Sequence, residues 1–211
     1  MFARFLAAVA AMVAVVTASN ILVQYPVQFE LGPIHLADIL TWGAFTYPFA
    51  FLVSDLTNRH DGARQARVVV LVGFLFGLGL SVWLATPRIA IASGSAFLIG
   101  QLLDIAIFQR LRNRYWLIPP LSASLFGSLI DTLIFFTLAF APAFAFIDTT
   151  FGFADGSLGF GAPWLGVGAE VPLWLSLASG DFAVKFLAAL LLLAPYRVLM
   201  GRIMPLPAAA T

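Results

Sequence analysis

Apolar runs of about twenty residues, broken by short polar or basic interruptions, make up most of this chain, and the polar residues inside the runs recur at steps of three and four. That spacing predicts helices near residues 3–24, 37–58, 66–86, 89–110, 117–140 and 173–196. Each run matches the roughly 20 residues a helix needs to cross a bilayer. None alternates with the period of two that a membrane barrel strand requires. The expected fold class is therefore an all-α integral membrane protein, a bundle of six transmembrane helices in a single domain over 1–211. The first run, FLAAVAAMVAVVTA after Arg4, has the look of a signal-peptide core, but its apolar character continues through Ile21, Leu22 and Val23. A retained span is the better reading of that length.

Composition strengthens this picture. Hydrophobic residues make up 62% of the chain, charged residues 10%, and the mean hydropathy is +1.00. A soluble domain carries roughly 25% charged residues. The net charge of +1 matters less than its placement. Arg4, Arg59, Arg64, Arg67, Arg110, Arg112, Arg114, Arg197 and Arg202 all fall at one set of helix ends, and positive residues accumulate on the cytoplasmic side. Both termini are expected to be cytoplasmic. Glu30, Asp148, Asp155 and Glu170 lie opposite, with Arg88 as the single base among them. Cysteine is absent and the two histidines, His35 and His60, fall in connections, so neither a metal centre nor a haem or other cofactor is expected. No nucleotide-binding loop is present, which excludes ATP hydrolysis by this chain, and a histidine-based intramembrane hydrolase would lack its base at depth. No basic patch points to nucleic acid.

Two segments nearly repeat. SAFLIGQLLDIAIF (95–108) and SASLFGSLIDTLIF (122–135) agree at eight of fourteen positions, and each places one aspartate in an apolar run. They lie on consecutive spans of opposite direction, so they read as a helical hairpin with an acidic face on each arm. The Gly and Ser positions suit close helix packing. The aspartates do not reduce to packing, because a carboxylate near a helix centre costs about 3 kcal/mol and normally faces a cavity or a partner. In the last span Asp181 and Lys185 stand four residues apart and can pair. Counting 1.5 Å per residue from the outer surface puts Asp104 roughly 22 Å deep, Lys185 about 18 Å, Asp131 about 14 Å and Asp181 about 12 Å.

The second span, ADILTWGAFTYPFAFLVSDLTNR, sets Thr41, Trp42, Phe45, Phe49, Asp55 and Arg59 on one face and carries Pro48 near its centre. A proline there removes a backbone hydrogen bond and bends or opens the helix, for packing or for exposing backbone groups to a cargo. Asn20 and Gln24 add neutral hydrogen-bonding groups from the first span. The connection 141–172 is long and rich in Gly and Phe, as a lid or an interfacial loop would be.

The blocks SNILVQYP, TWGAFTYPFAFLVSDLTNR, RIAIASGSAFLIGQLLD, SLFGSLIDTLIFF and D-x-x-x-K, in this order over nearly the whole chain, closely resemble the queuosine-precursor transporter (VUT) family. The resemblance implies a six-helix bacterial inner-membrane protein that imports 7-cyano-7-deazaguanine, its aminomethyl relative, or both, for tRNA modification. The first and fifth connections depart most from the family pattern, so no role for Glu30, His35, Asp155 or Glu170 follows from it. A deazaguanine offers a donor pair on one edge and a flat aromatic face. With that cargo, Asp104 or Asp131 is expected to accept from the donor edge, Gln101, Asn20, Gln24 and Thr41 to supply further hydrogen bonds, and Trp42 and Phe45 to stack. The Asp181–Lys185 pair, together with Asp55 and Arg59, forms the expected ion-pairing or coupling set. Facilitated diffusion down a gradient maintained by intracellular consumption is the preferred reading, with proton coupling through a carboxylate as the alternative. A substrate-binding subunit of an energy-coupling-factor vitamin importer is the alternative reading, and the small-residue faces would also allow a homodimer.

Overall fold

The computed structural model describes residues 2–23, 25–32, 34–36 and 39–203. Five helices are long and apolar enough to cross a membrane: α1 (Phe2–Leu22), α4 (Ala63–Leu84), α5 (Pro87–Leu111), α6 (Ile118–Phe140) and α8 (Leu173–Ile203). Between α1 and α4 lie the short α2 (Gly43–Thr46) and α3 (Pro48–Asp61). Local chemistry sets several of these ends. Thr86 Oγ1 accepts from the Ile89 amide at the start of α5, and Pro87 follows at a position where its missing N–H costs nothing. Gly62, at φ 88°, makes the turn from α3 into α4, a backbone conformation that a side chain would strain.

The second expected span, 37–58, differs from the reading above. Its first residues are drawn into the connection after α1: Pro26 bridges Thr41, the Val27 amide donates to the Leu40 carbonyl at 3.0 Å, and the Trp42 amide donates to the Tyr25 carbonyl at 3.0 Å. In the same connection β1 (Glu30–Leu31) pairs antiparallel with β2 (Ile34–His35). Helix therefore begins only at Gly43 and runs on to Asp61. Tyr47 keeps helical dihedrals (φ −56°, ψ −38°), but Pro48 has no N–H to offer the carbonyl of Ala44, and the hydrogen-bond ladder breaks there.

This broken helix is the centre of the bundle. α3 packs on α1, α4, α5, α6 and α8, while α5 and α6 form the most extensive helix pair. Enclosure by protein on so many sides explains how a segment carrying Ser54, Asp55, Thr57 and Asn58, all buried, sits among spans. An apolar core of Met12, Val16, Ala50, Ala66, Val69, Val70, Phe97 and Ile105 joins α1, α3, α4 and α5. Outward rows such as Leu75, Val82 and Trp83 on α4 and Leu187, Leu191 and Val198 on α8 stay exposed, as a lipid-facing surface requires.

The repeated segments explain the α5–α6 contact. A Cβ placed on Gly100 would lie 2.9 Å from the Asp131 Cβ, and one placed on Gly127 would lie 3.1 Å from the Asp104 Cβ and 3.1 Å from the Gly100 carbonyl. Each glycine thus accommodates the aspartate of the other arm, in a self-complementary antiparallel crossing. Gly127→Ala is expected to destabilise the protein by about 1–3 kcal/mol through overpacking, because Phe51 and the Gly100 backbone also crowd the position. A melting temperature equal to wild type would refute it.

The 141–172 connection is ordered. It contains a 3₁₀ turn (Pro142–Phe144), α7 (Ala145–Thr150) and a hairpin of β3 (Gly161–Pro163) with β4 (Glu170–Pro172). Its anchor is Arg88, only 1% exposed. Nη1 donates to Asp148 Oδ2 at 2.7 Å and to Ser157 Oγ at 3.1 Å, Nη2 to the Ala141 carbonyl at 2.7 Å, and Nε to the Leu138 carbonyl at 2.8 Å. Asp155 lies 3.6 Å away, and its carboxyl is held below the usual range by hydrogen bonds from Ser157, with the Arg88 charge assisting.

Candidate transport site

A cavity of about 410 Å³ opens between α1, α2, α4, α5, α6 and α8, within the roughly 300–1,000 Å³ typical of small-molecule sites. Its walls include the hydroxyls of Ser19, Thr41, Ser81 and Ser93, the Asn20 amide and the rings of Phe135, Phe136 and Phe140. Ile39, Leu40, Leu84, Ala85 and Phe140, at or beyond the helix ends opposite the arginine-rich ones, border it too. The cavity is therefore open toward the arginine-poor side.

At its deep end stands a charged cluster built from three helices. Lys185 Nζ donates to Asp131 Oδ2 at 2.7 Å, to Asp181 Oδ2 at 2.6 Å and to Thr132 Oγ1 at 3.2 Å. Thr132 Oγ1 in turn donates to Asp181 Oδ2 at 2.8 Å, and the Tyr47 hydroxyl donates to Asp131 Oδ1 at 2.8 Å. The ammonium also lies 4.9 Å from the centre of the Tyr47 ring, near enough for a cation–π contribution. Two carboxylates facing one ammonium leave the cluster one formal negative charge. Asp131 has a donor on each oxygen. Asp181 receives both of its bonds on Oδ2, and its side chain is 15% exposed at the cavity wall, against 5% for Asp131. Oδ1 of Asp181 is thus the carboxylate oxygen of the cluster that these bonds leave to the cavity.

Of the residues expected from sequence, the structure brings Asn20, Thr41, Asp131, Asp181 and Lys185 to this cavity. Asn20 Oδ1 accepts from Ser81 Oγ at 2.9 Å, while its Nδ2 donates to the Val16 carbonyl. Gln24, like Asp38, lies outside the described residues. Asp104 and Gln101 are fully buried, but neither lines the cavity. Asp104 accepts from Ser54 Oγ at 3.1 Å, beyond the Gly100–Gly127 crossing. Trp42 and Phe45 pack on each other, with ring centres 5.7 Å apart, on the outer surface at 49% and 39% exposure. The reason is rotational, and it divides the single face expected for this span: the stripe Tyr47, Phe51, Ser54, Asp55 and Asn58 turns inward, so Trp42, Phe45 and Phe49 turn out, away from Asp55. Trp42→Ala and Phe45→Ala are accordingly expected to leave uptake within about twofold of wild type. A tenfold loss in either would return them to the site.

Asp55 and Arg59 form no ion pair with each other. Arg59 Nη1 donates to the Arg112 carbonyl at 2.6 Å, and Arg112 Nη2 returns a bond to the Arg59 carbonyl at 2.9 Å, a clasp between α3 and the α5–α6 connection. Sequence reasoning passed over Tyr47, Thr132, Phe135 and Phe136. Thr132 was legible in principle, since it directly follows Asp131 in the D-T-x-x-F-F block.

A polar-tipped cavity ending on a lysine held by two intramembrane aspartates is a candidate small-molecule site, because ionisable groups at such depth commonly mark substrate or ion pathways. Comparison with known proteins points the same way. The family model described as "Putative vitamin uptake transporter" matches residues 41–85 and 80–200. This chain belongs to that family. The queuosine precursor transporter of Escherichia coli (strain K12) is 40% identical to it over 149 residues, 60% of this chain and 64% of that protein. A probable queuosine precursor transporter of Haemophilus influenzae is 36% identical over 153 residues, 60% of this chain and 65% of the relative. The match thus spans just under two thirds of each relative's length. No solved structure matches the chain. The motif blocks TWGAF, GQ-x-x-D and G-x-x-x-D-T-x-x-F-F all fall inside the matched range, and from them Thr41, Gly43, Ala44, Asp131, Phe135 and Phe136 line the cavity.

Proposed function

We propose that this chain imports queuosine precursors, 7-cyano-7-deazaguanine and its aminomethyl relative, across the bacterial inner membrane for tRNA modification. The observation that carries the reading is the cavity ending on Asp131, Lys185 and Asp181. The donor edge of the deazaguanine is accepted by Asp181, with Asp131 held ready by Lys185 and Tyr47. Phe135 and Phe136 flank the ring, and Asn20, Thr41 and Ser93 meet the remaining polar atoms. In this arrangement α2 and α3 act together as the sixth, proline-interrupted crossing, with both termini on the arginine-rich, cytoplasmic side. The conformation is then the outward-open one, and the cargo leaves past Lys185.

The test is queuosine content of tRNA in a precursor-auxotrophic bacterium that lacks its own importer, supplied with either deazaguanine. Expression of the wild-type chain should restore queuosine. Asp181→Asn should lower restoration about tenfold or more, the scale of one lost charge-assisted hydrogen-bond pair. No restoration by a membrane-inserted wild-type protein rejects the reading. Purified protein in vesicles separates it from the energy-coupling-factor alternative, because a substrate-binding subunit would transport only with an ATPase module.

A further inference from the structure

Beyond Lys185 the wide cavity gives way to a void of about 20 Å³, room for about one water, and Lys185 borders both spaces. At the far side of this void stand Asp55 and Tyr196, 3% and 1% exposed. Asp104, fully buried, lies against the same stretch of α3, since Ser54, the residue before Asp55, donates to its Oδ2. Each carboxylate receives one serine hydroxyl: Ser54 Oγ donates to Asp104 Oδ2 at 3.1 Å, and Ser124 Oγ donates to Asp55 Oδ2 at 3.4 Å. Oδ1 of Asp55, Oδ1 of Asp104 and the Tyr196 hydroxyl are buried with no hydrogen-bond partner.

Among the described residues, neither carboxylate has a cation within ion-pair distance. Lys185 of α8 is engaged by Asp131, Asp181 and Thr132. Arg59 at the end of α3 and Arg112 after α5 are turned to each other's carbonyls. Asp131 of α6 lies across the glycine crossing, Arg4 of α1 reaches α3 only at His60, and Arg64 and Arg67 sit in the first turns of α4. Two adjacent ionised carboxylates with no paired cation are a strongly unfavourable arrangement in a protein interior. One bound proton halves the charge and supplies a donor where the buried carboxylates otherwise present only acceptors.

We infer that Asp55 and Asp104 form a proton-binding pair on the closed side of the path, loaded when the cavity faces outward and released to the cytoplasm when the inner side opens, so that cargo entry is proton-coupled. α3 supplies the mechanical link. Tyr47 at its broken end holds Asp131 at the cargo site, and Ser54 and Asp55, two turns on, hold the pair. A shift of this one helix changes both. This inference rests on the transport reading above and adds the coupling ion to it.

The experiment uses the purified full chain in proteoliposomes with labelled 7-cyano-7-deazaguanine, whose nitrile, unlike the aminomethyl group, carries no basic amine to confound a pH gradient. Two modes are measured: exchange with equal cargo on both sides, and accumulation driven by acid outside alone. Wild type should exchange, and should accumulate up to about tenfold per unit of pH gradient for one proton per cargo, with the gain abolished by a protonophore. Asp55→Asn and Asp104→Asn should retain exchange and lose accumulation. Exchange without accumulation in the wild type overturns the coupling alone, whereas absence of both overturns the transport reading as well. Either variant accumulating like wild type overturns the assignment to this pair. Because a variant can fail to fold, infrared spectroscopy of the wild type gives a separate readout. The carbonyl band of a buried protonated carboxylic acid is expected at neutral pH, and its absence overturns the inference.

Discussion

Lys185→Met is expected to reduce uptake by two to three orders of magnitude, roughly, in a protein that still inserts and can be purified. The ammonium is the common partner of Asp131, Asp181 and Thr132, at 2.7, 2.6 and 3.2 Å. Removing one member of a buried charge pair costs about 3–5 kcal/mol, because the remaining carboxylates are left uncompensated. Part of that cost is recovered here by hydration, since Asp181 stands at an open cavity wall. The fold therefore survives better than the site does. Without the lysine, the two carboxylates repel and no longer converge on one cargo edge. Lys185→Arg should fall between, with roughly tenfold loss, because a planar fork cannot gather three acceptors around one point as an ammonium does. Uptake rates measured beside melting curves of the purified variants separate site loss from unfolding. Near-wild-type uptake by Lys185→Met would remove the cluster from the transport path.

Tyr47→Phe probes the same cluster from the other side. It deletes the 2.8 Å donor to Asp131 Oδ1 while keeping the ring beside Lys185. A hydrogen bond to a charged group is worth about 1.5–3 kcal/mol, so a ten- to hundredfold loss is expected, about the reach of one such bond. An unchanged rate in vesicles would show that Asp131 needs no second donor.

What could be read from the chain beforehand divides along physical lines. Length and hydropathy located the five long helices because a bilayer crossing demands a run that few other structures need. The Asp181–Lys185 pair was legible because helical spacing alone brings the two together. Rotation of the helices was not legible. Gly100, Gln101 and Asp104 share a face, and helical spacing alone makes Gln101 and Asp104 candidates for the cargo, but the glycine commits that face to the α6 crossing and so carries both away from the cavity. The same limit applies to α3. Trp42 and Phe45 at α2 and Phe49 on α3 form a coherent stripe, yet a stripe of aromatics looks alike whether it faces a flat ligand or lipid. The polar opposite stripe, Ser54, Asp55 and Asn58, was the better guide to the interior. That segment starts later than hydropathy suggests because the Pro26–Thr41 pairing depends on backbone bonds between distant residues, which hydropathy does not encode.

Arg88→Ala is expected to have the largest effect on stability, about 3–5 kcal/mol, equivalent to roughly 10 °C in melting temperature for a chain of this size. The guanidinium uses its donors on Leu138, Ala141, Asp148 and Ser157, so that one side chain fixes the end of α6, the turn after it, α7 and the segment leading to the β3–β4 hairpin. Losing it leaves Asp148, itself 3% exposed, as a buried carboxylate without its cation. The double variant Arg88→Ala, Asp148→Ala should regain part of the loss, since removing both charges also removes their desolvation. Uptake should fall with the loop, because Phe140, Ala85 and Ile89 line the cavity beside this anchor. A loop that merely covers the bundle would give the thermal shift with uptake unchanged, and a loop that shapes the entrance gives both. The position of Arg88, the lone base at the arginine-poor helix ends, is what made it visible in the sequence. Its burial shows why the exception is tolerated: the charge is neutralised within the protein and does not stand free at the surface where topology is set.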